Sequence, residues 1–222
     1  MSSTELLGFD INAKIQRLEG SLSIDCAENL PIELYVVAQL PSGVGDIVIR
    51  DGLKRQYEHP NFVEEYNVLS AKIVDIDLSR GNQTAIYTFG IERDLIPHRH
   101  TGQRAITAIS GSSGLRLVFS SARPEEVKQN HQAILEKISV VEIPADVIFI
   151  LRFYGGTWHY FCSNSDNVGL FAVTVHVDEF EGLSQDDDLW KRVRSGQSSI
   201  PLLTECVSPA VDALLKAHSV IK

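Results

Sequence analysis

Residues 97–110, PHRHTGQRAITAIS, join two histidines that are one residue apart to a run in which apolar and polar side chains alternate. Alternation with a period of two is the pattern of a half-buried β-strand. Pro97 cannot donate a ladder hydrogen bond, so it fits best at the start or the edge of a strand. The stretch therefore predicts a strand that begins near the rim of a β-structure, with His98 and His100 on the same face.

The same period recurs along the chain and predicts an all-β protein. β-branched and aromatic side chains fill several short segments that are separated by turns rich in glycine, proline or asparagine. Many short strands of this kind are typical of a sandwich or a barrel. The predicted strands are 32–40, 44–52, two within 71–91, 104–110, 115–120, two within 141–154, and 169–180.

Helical signals are fewer. Residues 124–138 begin with proline and acidic side chains and then carry apolar residues at roughly helical spacing. Residues 208–221 place Ser208 at an N-cap and Pro209 at the first helical position, ahead of an apolar face. We expect a helix in each segment and a short helix near the N-terminus. These helices would lie at the periphery of the β-structure.

Composition limits the partners. The chain has 222 residues and a net charge of −9, so its surface repels phosphate backbones and nucleic acid is not an expected partner. No apolar run approaches the roughly 18 residues of a transmembrane helix, and the first residues do not resemble a signal peptide. The three cysteines suggest no disulfide framework. We therefore expect a cytoplasmic protein without membrane partners.

A second histidine stretch follows at residues 153–164, FYGGTWHYFCSN, where Gly155 and Gly156 predict a tight turn ahead of His159. Residues i and i+2 of a strand lie roughly 6.6 Å apart on one face, so two imidazoles at that spacing can share one metal ion. Two solvated histidines would produce the same pattern. A metal site needs a third ligand, and His159 is the candidate.

Together, the two stretches resemble the paired motifs of the cupin superfamily over roughly residues 71–180. The first motif has His-x-His, then a Glu, then a Gly after six further residues. Here His98 and His100 are followed by Arg104 at the Glu position and by Gly111. The chain has Glu92 where the first motif opens with Gly.

The second motif matches in its Gly-to-His spacing, from Gly156 to His159. Tyr154 replaces a proline of that motif, and Asn164 falls one position later than the motif's Asn. The resemblance implies a jelly-roll barrel, also called a double-stranded β-helix, with a few peripheral helices including a C-terminal one. We expect one structural domain, made of N-terminal strands and a short helix (1–70), the barrel core (71–182), and a C-terminal loop and helix (183–222).

The resemblance also implies a site. In cupins the motif histidines bind one metal ion in the barrel mouth, which points to His98, His100 and His159 as ligands of a divalent ion. Fe(II) is the favoured ion, with Zn, Ni or Mn as alternatives. Cupins commonly pair through their outer strands, so a homodimer is implied.

Arg104 is the main departure from the cupin pattern, because a guanidinium stays charged and cannot ligate a metal. Three neutral imidazoles would leave the ion its full charge and open positions, which suits an anionic substrate or dioxygen. If Arg104 points inward, it can hold a substrate carboxylate by a bidentate fork. The alternative is an outward-facing strand residue in a salt bridge.

A weaker similarity links the chain to the three-histidine thiol dioxygenases. Their first motif reads His-x-His-Thr, as residues 98–101 do here, and they carry a further histidine downstream, for which His176 is the counterpart. Asp178 stands where those enzymes have a tyrosine. His176 is therefore a candidate for assisting proton transfer, and its alternative role is to line the barrel.

These observations lead to three hypotheses of function. The first is a mononuclear Fe(II) dioxygenase-like enzyme acting on a small organic acid or thiol, with Arg104 and His176 as catalytic residues. The second is a metal cupin that does not use dioxygen, such as an isomerase or lyase. The third is a small-ligand-binding or sensor cupin without catalysis.

Overall fold

A computed structural model describes residues 22–23, 32–65, 68–82, 84–94, 96–177, 188, 191–192 and 204–221. The predicted N-terminal helix and the predicted loop after residue 182 lie largely outside the described residues. The elements in chain order are β1 (Leu22–Ser23), β2 (Ile32–Gln39), α1 (Val44–Tyr57), β3 (Phe62–Glu65), β4 (Val68–Val74), a 3₁₀ turn (Leu78–Arg80), β5 (Ala85–Ile91), β6 (His98–His100), β7 (Gln103–Ser110), β8 (Leu115–Ser120), α2 (Pro124–Gln129), α3 (Ala133–Glu136), β9 (Ile138–Ile143), β10 (Val147–Phe153), β11 (Trp158–Ser163), β12 (Leu170–Val177), β13 (Thr204–Cys206) and α4 (Pro209–Ala217).

The strands form two antiparallel sheets whose order defines a jelly roll. Within the larger sheet, the neighbours run β10-β7-β12-β5, and within the smaller sheet they run β6-β11-β8-β9. If β5 is counted as the first strand of the jelly roll, the larger sheet contains the first, eighth, third and sixth strands. The smaller sheet contains the second, seventh, fourth and fifth. That alternation between sheets is the double Greek key of a jelly roll. The predicted all-β jelly-roll barrel with peripheral helices is confirmed.

The remaining strands extend the two sheets. The larger sheet continues through β2 and β1 beyond β10, and through β4 and β3 beyond β5. The smaller sheet gains β13 alongside β6. As a result, β6, which is only three residues long, lies between β13 and β11 and is not the sheet edge.

The barrel core lies between the two sheets. Strand β10 shows how the sequence builds it, since Val147, Phe149, Leu151 and Phe153 alternate with more exposed residues and are each at most 2% exposed. Burying one such side chain contributes roughly 1.5–3 kcal/mol, which makes the alternation the main stabilising feature of the strand. Because the interior is filled with aliphatic and aromatic side chains, its few polar residues stand out.

A second apolar cluster packs the helices against the outer face of the smaller sheet. Val118, Trp158 and Tyr160 point out of the barrel and meet Ile134 and Leu215 from the helical segments. Ser208 caps α4 as predicted, because its hydroxyl accepts a hydrogen bond from the Val211 N–H at 3.4 Å. The predicted C-terminal helix is confirmed.

The predicted strand 44–52 is wrong, because these residues form the first part of α1. Its β-branched residues suggested a strand, but the N-terminus of the helix is capped from far away in the sequence. The Asp146 carboxylate accepts hydrogen bonds from the N–H groups of Gly43 (3.1 Å) and Gly45 (2.8 Å). Gly45 also packs against the Ser110 carbonyl, where a Cβ would come within 2.1 Å of the oxygen. These contacts join distant segments, so local patterning does not reveal them.

The predicted single helix 124–138 is also wrong in extent. It divides into α2 and α3, and the chain is already in strand β9 at Ile138. Asn130 ends α2 in an extended conformation, and its side-chain oxygen accepts from the Gln132 N–H at 3.1 Å. Such an Asx turn offers the backbone an alternative to the helix.

Among the helices that the structure describes, none is long and apolar enough to cross a membrane.

Candidate metal centre

The three predicted histidines meet at one point of the barrel. His98 on β6 lies directly opposite His159 on β11, with their ring centroids 4.3 Å apart. The His100 ring lies 5.1 Å from His98 and 5.2 Å from His159. One ring nitrogen from each histidine lies within 4.8 Å of the other two. Across the described part of the chain, this is the one group of three or more His, Cys, Asp or Glu side chains that could hold a metal ion.

Hydrogen bonds at Nδ1 orient two of the rings. His98 Nδ1 lies 3.1 Å from the Ile96 carbonyl oxygen, and His159 Nδ1 lies 3.1 Å from the Thr157 carbonyl oxygen. A carbonyl only accepts, so each Nδ1 carries the proton and each neutral ring keeps a lone pair on Nε2. Metal-binding histidines are typically held in this way, because the outer hydrogen bond fixes the tautomer and the ring direction.

His100 is oriented by a side chain. Its Nδ1 lies 3.3 Å from the hydroxyl oxygen of Thr204, which belongs to β13. The strand pairing brings these two residues together, since Thr204 lies directly opposite His100 in the ladder between β13 and β6. The third ring therefore also has an outer partner on Nδ1.

Burial keeps two of the imidazoles neutral. Desolvation lowers the pKa of His100 well below its ordinary value of 6.5, and the charge of Arg104 acts in the same direction. Desolvation likewise lowers the pKa of His159 well below 6.5, assisted by the charge of His98. Neutral imidazole is the form that binds a metal, so neither ring has to lose a proton at neutral pH.

The donor set fits a first-row divalent ion. Imidazole nitrogens suit zinc, iron, nickel and copper, and bond to zinc at about 2.0–2.1 Å, so two of them on one ion are at most about 4.2 Å apart. The ring nitrogens of the three histidines lie within 4.8 Å of one another, so a small movement of the rings would bring them to this distance. The three-histidine group can therefore hold a metal ion.

Arg104 faces the barrel interior. Its side chain is 2% exposed, and its neighbours across the sheet are Phe153 on β10 and His176 on β12. The Phe153 ring in turn lies 4.9 Å from the His159 ring. The Arg104 Nη1 donates a hydrogen bond to the Gln103 carbonyl at 3.1 Å. The structure therefore supports the prediction that Arg104 points into the barrel, and not the alternative of an outward-facing residue in a salt bridge.

His176 lines the barrel near the histidine group. It is 2% exposed, its ring centroid lies 4.5 Å from Tyr87 and 6.0 Å from Phe89, and it stacks nearly parallel to Phe89. Its ring lies 6.3 Å from His100. The structure thus places His176 next to His100 and against the aromatic rings of Tyr87 and Phe89.

Sequence reasoning missed two polar residues next to the group, Thr204 and Asp94. Asp94 is 2% exposed, and its Oδ2 accepts a hydrogen bond from the Phe161 N–H at 2.6 Å. Desolvation raises the pKa of its carboxyl group, and the nearby His98 charge opposes that rise. Neither residue stands in a motif. Thr204 is 104 positions away from His100, and only the pairing of β13 with β6 connects them.

No protein-family model and no curated protein sequence matches the chain. Among solved structures, a hypothetical protein from Leishmania major has 12% sequence identity and a TM-score of 0.44, covering 77% of this chain and 92% of that one. A cupin 2 domain-containing protein from Halorhodospira halophila has 12% identity and a TM-score of 0.39, covering 71% and 82%. Ectoine synthase from P. lautus has 11% identity and a TM-score of 0.37, covering 70% and 87%.

The described residues form a jelly roll with a three-histidine group inside it. The strand order carries the fold assignment, and the converging imidazoles carry the site.

Proposed function

We propose that the protein is a metal-dependent cupin, namely a mononuclear Fe(II) dioxygenase-like enzyme that acts on a small organic acid or thiol. The observation that carries this proposal is the convergence of three buried or half-buried imidazoles beside a buried guanidinium. Structural metal sites are usually closed by four protein ligands, whereas the described residues bring three together here. A bound ion would therefore keep coordination positions for substrate.

The three histidines would hold the ion through Nε2, with their Nδ1 hydrogen bonds keeping the rings in place. A bound Fe(II) would supply a redox-active centre with positions open to both substrate and dioxygen. Because all three ligands are neutral, the site retains the full charge of the ion. This charge favours a substrate that binds as an anion, such as a carboxylate or a thiolate.

Arg104 supplies a second positive charge on the same side of the barrel. A guanidinium binds a carboxylate through two parallel hydrogen bonds, so it fixes orientation as well as charge. In an interior that excludes water, such a pair is stronger than at the surface. We assign Arg104 the role of holding the acid group of the substrate while its reactive end meets the metal.

His176 is proposed to accept or return a proton during turnover. It lies opposite Arg104 on the neighbouring strand, and its ring is 6.3 Å from that of His100, so a small substrate bound between the metal and Arg104 would pass close to it. Geometry of this kind is the first requirement for a general acid or base. The rings of Tyr87 and Phe89 pack against the His176 ring and hold it in position.

Metal analysis and oxygen uptake test the proposal. The protein would be purified without a histidine tag, its metals measured, and the Fe(II)-loaded form prepared without oxygen. We expect about one iron per chain and oxygen consumption with at least one member of a panel of small organic acids and thiols. A metal-free protein that binds no Fe(II) would refute the site.

Other results would separate the remaining functions. Tight binding of zinc or nickel with no oxygen uptake across the panel would contradict the dioxygenase assignment and favour a Lewis-acid enzyme, such as an isomerase or lyase. Binding of panel compounds by metal-free protein, with no turnover after metal loading, would favour a ligand-binding or sensor role.

A further inference from the structure

We infer that Thr204 is a positioning residue of the three-histidine group and that its hydroxyl selects the metal-binding tautomer of His100. This inference rests on the proposed metal site. The Thr204 Oγ1 lies 3.3 Å from His100 Nδ1. At His98 and His159, a backbone carbonyl oxygen takes the place that this hydroxyl has at His100. The Nδ1 of His100 thus lies against a side chain that mutation can change, whereas the Nδ1 atoms of His98 and His159 lie against backbone carbonyl oxygens.

Strand β13 holds this hydroxyl in place. It pairs with β6 through three consecutive positions, Thr204 with His100, Glu205 with Arg99 and Cys206 with His98. Glu205 and Arg99 form an ion pair. Immediately after the strand, the Val207 N–H donates to the Pro97 carbonyl at 3.0 Å. Because the ladder fixes both backbones, the distance between the hydroxyl and the ring is set by the fold and not by a mobile loop.

The chemistry of the pair explains why the hydroxyl matters. A neutral imidazole carries its proton on either nitrogen, and a hydroxyl can accept or donate. When the proton is on Nδ1, the ring donates to Thr204 and Nε2 keeps a lone pair for the ion. When the proton is on Nε2, the hydroxyl donates to Nδ1 and the ring presents an N–H to the site. Metal binding therefore requires Thr204 to act as an acceptor.

A carbonyl can only accept, so it fixes this tautomer at the other two rings, and at His100 the inferred role of Thr204 as an acceptor stabilises the same tautomer. A side chain without an oxygen would remove the acceptor and leave the Nδ1–H of a buried ring without this hydrogen bond. Outer partners of metal-binding histidines typically contribute roughly 10–100-fold to metal affinity. We expect Thr204 to contribute in this range.

Titration with Co(II) as a spectroscopic probe tests the inference on the full-length chain. Thr204→Val removes the hydroxyl with almost no change of shape, and Thr204→Ser restores it. Thr107→Val, at an exposed position of β7, makes the same atomic exchange far from the site and serves as the control. We expect Thr204→Val to bind Co(II) roughly 10–100-fold more weakly. Thr204→Ser and Thr107→Val should bind as the wild type does.

A second measurement follows the tautomer directly. Ring ¹⁵N shifts of the metal-free protein should show His100 protonated at Nδ1 in the wild type and in Thr204→Ser, with that preference weakened in Thr204→Val. Circular dichroism confirms the fold, and Thr204→Ala replaces Thr204→Val if the latter does not fold.

The outcomes are distinguishable. Wild-type protein that binds no Co(II) overturns the proposed metal site, and the inference with it. Wild-type binding with equal affinity in Thr204→Val overturns the inference alone, and so does an unchanged His100 ring spectrum in that variant.

Discussion

Arg104 on β7 and His176 on β12 lie directly opposite each other inside the barrel, and each is 2% exposed. A charged guanidinium and a titratable ring thus occupy one row of a sheet whose other inward residues are mainly aliphatic and aromatic. Removing an ion from water costs several kcal/mol even after the protein relaxes, so a buried guanidinium has to be compensated by its contacts. The row runs beside the three histidines, which is the reason to test it for a functional role.

Replacement of Arg104 is expected to weaken substrate binding without loss of the metal. Arg104→Met keeps an unbranched apolar stem but removes the charge, and Arg104→Lys keeps the charge but removes the fork. A hydrogen bond to a charged group contributes about 1.5–3 kcal/mol, so kcat/KM for an acid substrate should fall roughly 10–150-fold in Arg104→Met. The fall should be smaller in Arg104→Lys.

Steady-state oxygen uptake and metal content measure these effects together. Unfolding by urea provides the structural control, since a variant that keeps the wild-type free energy of unfolding has lost the contact to substrate and not the fold. Equal kcat/KM in all three proteins would contradict the assigned role of Arg104.

The sequence predicts the site better than it predicts the helices. The spacing of His98 and His100 on one strand is enough to place them on one face, and the glycine turn before His159 is enough to place it near the start of a strand. Both features are local, whereas the pairing of that strand with β6 is implied by the resemblance to cupins. Whether Arg104 points inward depends on the register of β7 against β10 and β12, which is a property of the assembled sheet.

The strand predicted at 44–52 and the missed role of Thr204 have the same physical origin. Helix α1 resembles a strand in its composition. Two residues that are distant in the sequence determine its start, because Asp146 caps it and the Ser110 carbonyl leaves room only for glycine at position 45. Thr204 likewise reaches His100 only because β13 returns to the smaller sheet. Contacts between residues this far apart in the sequence leave no periodic signal in the chain.

Removing a metal ligand is expected to abolish metal binding and spare the fold. His98→Ala and His159→Ala each leave two imidazoles, so affinity should fall by more than the roughly 10–100-fold that outer partners contribute. Metal content per chain, measured by elemental analysis, should drop to background in both variants. His159 is buried, so its removal also leaves a cavity and should lower the melting temperature, whereas half-buried His98 should cost less.

His131→Ala is the matched control, because His131 is exposed and lies outside the barrel between α2 and α3. It should retain the metal content of the wild type. Unchanged metal in either ligand variant, with circular dichroism like that of the wild type, would rule out that residue as a ligand.

A carboxylate links helix α1 to the turn between β7 and β8. Asp46 Oδ1 accepts a hydrogen bond from the Ser112 N–H at 2.9 Å, and Oδ2 accepts from the Ser112 hydroxyl. The hydroxyl and N–H of Ser112 lower the pKa of the Asp46 carboxyl below its ordinary value of 3.8. Since the pKa is lower in the folded protein than in the unfolded chain, Asp46 stabilises the fold above about pH 4, and this contribution is lost as the pH falls through the folded value.

Asp46→Asn should therefore reduce the free energy of unfolding at pH 7 by about 1 kcal/mol, a value limited by the solvent exposure of the pair. Urea unfolding of both proteins between pH 3 and pH 7 measures the difference, which should shrink as the pH falls below about 4. Ser112→Ala should reproduce most of the loss, and adding it to Asp46→Asn should cost little more, because both changes break one contact. A difference between wild type and Asp46→Asn that stays constant over the whole pH range would show that the carboxylate charge is not what Ser112 stabilises.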